Sequence, residues 1–92
     1  LAHVIAFALA GSVRAPLALI PRSLLDLTRI AQSDPDLWDD IFLGNRRALL
    51  GAMGRFERQW RALRRLIQRS DRAGVRRTLS HIKRQRDVLR DA

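Results

Sequence analysis

At 92 residues the chain is long enough for one small domain, and a monomer of that size buries only somewhat more than ~60% of its chain surface, so its stability margin is thin. It has no cysteine, which excludes a disulfide framework and a thiolate metal site, and its two histidines, His3 and His81, stand far apart, which argues against a metal centre. The formal charge of +9 is uneven: residues 43–92 hold fifteen basic residues against Glu57, Asp71, Asp87 and Asp91, whereas residues 1–42 hold Arg14, Arg22 and Arg29 against five aspartates.

A basic half raises the question of nucleic acid or an anionic membrane. Seventeen of the eighteen cations are arginine, spread around polar helix faces with few aromatic residues between them, and this fits a solvated surface better than a base-stacking interface. The apolar run Val4–Ala10 is too short to span a bilayer and has no basic segment before it, so neither a membrane anchor nor a signal peptide is expected, and the expected location is the cytoplasm. The chain opens on Leu1 inside an apolar run and reads as part of a longer protein.

The periodicity predicts helices throughout. Leu1–Ala10 is apolar nearly all round, which marks a buried helix ended by Gly11-Ser12. Val13–Pro21 is a connection broken by Pro16 and Pro21. Ser23–Ala31 reads as a short helix with Ser23 as a candidate cap and Leu24, Leu27 and Ile30 inward; Asp26 and Arg29 share a face and could pair. Asp34 or Ser33 is a good N-cap and Pro35 a good first helical residue. From Pro35 to about Arg69 the apolar steps of three and four predict one long helix, roughly 52 Å at 1.5 Å per residue. A compact globule of this size is about 32 Å across, so that helix would overhang its own domain and need a partner, most simply a second copy. A break near Gly51 is the competing reading. Ser70-Asp71 caps a last helix to about Arg90. The expectation is an all-α fold over residues 1–92, a single helical domain with one long helix and shorter flanking helices.

Catalytic signatures are missing. No Gly-x-Gly-x-x-Gly or phosphate-binding loop occurs, no nucleophile–His–carboxylate set can be assembled, and Glu57 is the only glutamate. By itself the chain does not read as a complete enzyme, and no residue in it is expected to be catalytic.

The stretch 26–45 carries the most information. Asp26, Thr28, Arg29, Ile30, Ala31, Ser33, Asp34, Pro35, Trp38, Ile41, Phe42 and Asn45 stand at the spacings of Asp-x-Thr-Arg-Ile-Ala-x-Ser-Asp-Pro-x-x-Trp-x-Asp-Ile-Phe-x-x-Asn. This run resembles the signature of the C-terminal helical dimerisation domain of prephenate or arogenate dehydrogenases, and Leu1–Leu9 looks like the second half of the family's His-containing entry into a buried helix. The chain departs from the pattern at Pro21-Arg22-Ser23, where glycines are usual, at Ala2, where a proline is usual before His3, and in a shorter connection between the two motifs.

The resemblance implies one half of a dehydrogenase of tyrosine biosynthesis, acting on prephenate or arogenate by NAD- or NADP-dependent oxidative decarboxylation. The cofactor would be bound mainly by an N-terminal dinucleotide domain, and the helical part would form a homodimer. On the helical side it assigns substrate binding to Arg29, which would hold a carboxylate, to His3, which would orient the substrate, and to Trp38, as a wall of the site. A fixed guanidinium suits bidentate carboxylate capture, and a histidine can donate to a carboxylate or keto oxygen. The alternatives are a stand-alone basic helical module for dimerisation or nucleic-acid binding, and a small helical chorismate mutase, which would need an arginine on the first helix where this chain has none.

Overall fold

The computed structural model describes residues 1–14 and 21–91 and places five α-helices in that span: α1 (Ala2–Ser12), α2 (Arg22–Thr28), α3 (Pro35–Gly44), α4 (Arg46–Gln68) and α5 (Arg72–Asp91), with a 3-10 turn at Arg29–Gln32 between α2 and α3. Most of the Val13–Pro21 connection lies outside the described residues. The chain forms two compact units, Leu1–Met53 and Gly54–Ala92.

In the first unit α1 packs against α2 and against the 3-10 turn. It reaches α3 through aromatic rings. Phe7 meets Phe42 edge-on, with centroids 6.0 Å apart and planes at 88°. His3 stacks on Trp38 one turn earlier on both helices. The two contacts follow in the same order along both helices, so α1 and α3 run in the same sense where they meet. Large rings fill the gap that aliphatic side chains of this length would leave open.

Three expectations change. The short helix 23–31 is α2 followed by a tighter turn, and no side chain caps its start; Pro21, not Ser23, stands at that position. Leu27 does not point inward but is 63% exposed. The long helix is interrupted at Asn45, not at Gly51. Asn45 leaves helical geometry with φ −115° and ψ 25°, its side-chain amide donates to the Ile41 carbonyl at 2.7 Å, and its own carbonyl accepts from the Leu49 N–H at 2.9 Å. An asparagine can end one helix with its amide and start another with its carbonyl, and periodicity of apolar residues is blind to both. The longest helix is therefore α4, 23 residues or about 34 Å. The case for a partner then rests on uncovered apolar surface instead of on length.

The second unit holds the end of α4, a tight turn and α5. Ser70 takes φ 52°, its N–H donates to the Ile67 carbonyl at 3.1 Å, and the Asp71 N–H donates to the Leu66 carbonyl at 3.0 Å. This pair of bonds closes α4 with a left-handed residue where glycine is usual. Asp71 then caps α5, its carboxylate accepting from the Gly74 N–H at 2.9 Å. Gly74 is buried: a Cβ there would meet the Asp71 carboxylate and lie 2.8 Å from Leu66 Cδ2. Glycine at this position leaves room for the Asp71 cap and for Leu66 at the turn. Because Ser70 bears a side chain in the left-handed region, Ser70→Gly is expected to stabilise the protein by about 0.5–1 kcal/mol, read as a rise in the denaturant midpoint; a fall would show that the Ser70 side chain has a stabilising contact.

Very little apolar surface is enclosed. Among the described residues Ala6, at 2% exposure, is the one buried apolar side chain. On α4, Leu49, Met53, Phe56, Trp60, Leu63 and Ile67 recur at steps of four and three, the spacing of a helix–helix seam. Phe56, Trp60 and Ile67 on that stripe are 40%, 60% and 66% exposed. No helix of the described residues is long and apolar enough to cross a membrane.

Candidate functional site

Arg29, His3 and Trp38 all fall in the first unit, and two of them are in direct contact. The His3 and Trp38 rings stack with centroids 3.6 Å apart and 15° between their planes. Trp38 is itself braced by Phe42, 5.8 Å away at 61° on the next turn of α3. The order His3–Trp38–Phe42–Phe7 is thus a continuous chain of rings joining α1 to α3.

The structure places the half-buried His3 imidazole flat on the Trp38 indole. Stacking holds the ring plane while leaving the nitrogens at its edge free to bond outward. Trp38 fixes the plane of the histidine ring.

Arg29 opens the 3-10 turn that packs against α1, the helix of His3. Its backbone is held firmly. The Arg29 N–H donates to the Asp26 carbonyl. The Thr28 hydroxyl donates to the Leu24 carbonyl at 2.9 Å and to that of Leu25 at 3.2 Å, as the helix tightens. The Ser33 hydroxyl and N–H both donate to the Ile30 carbonyl, at 2.5 and 3.1 Å. Asp34 then caps α3, its carboxylate accepting from the Asp36 N–H at 3.0 Å, with Pro35 as the first helical residue. The corner expected from the sequence is therefore built as expected, and Thr28 and Ser33 join it as residues that position Arg29. Hydroxyls next to a corner arginine were the signal for that role.

The Arg29 side chain is exposed, and among the described residues it has no ion pair. The anticipated Asp26 pair does not form. The two ion pairs that do occur, Glu57–Arg61 and Asp87–Lys83, are exposed pairs one helical turn apart in the second unit. The guanidinium of Arg29 is therefore available for an external anion.

No group of three or more possible metal-ligating side chains is assembled among the described residues. Pro21, Arg22 and Ser23 lead into α2 on the approach to Arg29, and all three are exposed. His81 is exposed on α5.

Comparisons with known proteins identify the family. A family model described as "Prephenate dehydrogenase, dimerization domain" matches residues 1–81. The cyclohexadienyl dehydrogenase of Zymomonas mobilis subsp. mobilis is 39% identical over 79 aligned residues, covering 77% of this chain and 27% of that protein. The chain thus spans about a quarter of the length of the curated relative it matches. No solved structure matches it. With an all-helical fold and a match over most of its length, the chain belongs to the prephenate dehydrogenase dimerization-domain family.

Proposed function

We propose that this chain is the substrate-binding and dimerising part of an NAD- or NADP-dependent dehydrogenase that converts prephenate, or its amino-acid counterpart arogenate, to an aromatic product by oxidative decarboxylation. The observation that supports this reading is the pairing of a His3 ring clamped on Trp38 with an unpaired Arg29 on the turn that packs against the same helix. Prephenate carries two carboxylates. Arg29 binds one of them through parallel N–H donors, and His3 donates to a second oxygen and fixes the ring in place. Neither side chain needs to take part in bond breaking.

The chain's own residues do not fit a dinucleotide. It has no Gly-x-Gly-x-x-Gly and no strand leading into a glycine-rich turn among the described residues. The cofactor is therefore assigned to a separate dinucleotide-binding domain, and this chain contributes binding, orientation and a homodimer contact through the α4 stripe. A cytoplasmic location belongs to the same proposal.

The test is turnover by the full-length protein. Prephenate with NAD, and separately with NADP, should give reduced dinucleotide with a matching release of carbon dioxide. No turnover of prephenate or arogenate with either dinucleotide would overturn the reading.

A further inference from the structure

We propose that Arg22 is a second carboxylate-binding residue of the same site, so that Arg22 and Arg29 together clamp a ligand bearing two carboxylates. The inference rests on the functional reading above and adds a specificity-determining residue to it.

The placement follows from the helix. α2 runs from Arg22 to Thr28, and Arg29 keeps helical backbone angles of φ −56° and ψ −36°. Seven residues make two turns to within about 20°, so Arg22 and Arg29 share one face, about 10 Å apart along the axis. Two arginine side chains reach far enough to converge on one small ligand across that distance. Both are exposed, and among the described residues neither has an ion pair. Asp26 lies between them on the same face and is within ion-pair distance of neither. A carboxylate flanked by two arginines and bonded to neither leaves both guanidiniums open to an incoming dianion. It also repels an anion that approaches between them, so each ligand carboxylate is directed to one end of the row.

The second unit holds most of the chain's arginines, but there they are spread around helices whose apolar stripe is also open. The row on α2 is the one carried by a helix that packs against the helix of His3.

The test uses the full-length protein with Arg22→Gln and, for comparison, Arg29→Ala. Prephenate has two carboxylates, and its decarboxylated aromatic product, 4-hydroxyphenylpyruvate, has one. Arg22→Gln should raise the KM for prephenate roughly tenfold or more, with an unchanged dimer and unchanged dinucleotide affinity. Inhibition by 4-hydroxyphenylpyruvate should weaken in one of the two variants and not in the other, because each arginine serves a different carboxylate. Binding of prephenate without dinucleotide, followed by tryptophan fluorescence in wild type and in Arg22→Gln, should show the same loss in Arg22→Gln. An unchanged KM and an unchanged binding curve in Arg22→Gln would overturn the clamp. So would equal weakening of the one-carboxylate and two-carboxylate ligands in both variants, which would indicate only a general positive field. If wild type binds prephenate but does not turn it over, the functional reading fails, and the comparison of binding curves still decides the role of Arg22.

Discussion

If the proposed function holds, replacing Arg29 with alanine in the full-length protein is expected to raise the KM for prephenate about 10- to 100-fold while leaving dinucleotide binding near the wild-type value. The magnitude comes from hydrogen bonds to a charged group, about 1.5–3 kcal/mol, at 1.4 kcal/mol for each factor of ten. The side chain is exposed and its backbone is held by Asp26, Thr28 and Ser33, so removing it costs the fold little. Arg29→Lys should recover only part of the loss, since a lysine keeps the charge but not the two parallel donors. Steady-state kinetics over a range of prephenate concentrations gives the answer. A KM that stays at the wild-type value in Arg29→Ala would remove Arg29 from the site. A fall in kcat alone would indicate that its effect is on a later step.

The second large effect concerns assembly. Phe56→Asp and Leu49→Asp each place a carboxylate on the apolar stripe of α4. In a homodimer formed through that stripe every substitution occurs twice, once from each copy. Leaving a charge unpaired in an apolar contact costs several kcal/mol at least, so the dimer should weaken by about three orders of magnitude or more. Sedimentation across a range of protein concentrations would show the transition to monomer. Arg29→Ala, outside the stripe, should leave the dimer intact. A Phe56→Asp protein that remains dimeric at the lowest concentrations would place the contact elsewhere.

What was legible in the sequence divides by physical cause. The Asp34-Pro35 start of α3 could be read directly, because capping is a local matter of one carboxylate and one missing N–H. Arg29 could be placed at a corner for the same reason. The Asp71 start of α5 was legible too, although the left-handed Ser70 before it was not, since serine gives no sign of that conformation. The interruption at Asn45 was hidden, because apolar spacing continues through it and only the side-chain amide and backbone carbonyl mark the break. The outward turn of Leu27 was hidden as well, as it depends on how α2 lies on α1.

At the candidate site, the family signature pointed to His3 and Trp38 separately, whereas their stacking was not legible. Thirty-five positions separate them, and no local rule pairs rings across such a distance. The same holds for the absent Asp26–Arg29 pair. Spacing on one helix face allows it, and in the structure the two side chains are not within ion-pair distance.

Among the described residues a single apolar side chain, the methyl of Ala6, is fully enclosed, and the other apolar groups are covered only in part. Folding and association are then one equilibrium governed by mass action. The thermal midpoint should climb as protein concentration rises and fall on dilution, so that for this chain the question of how stable it is has no answer until one also says how much of it is present.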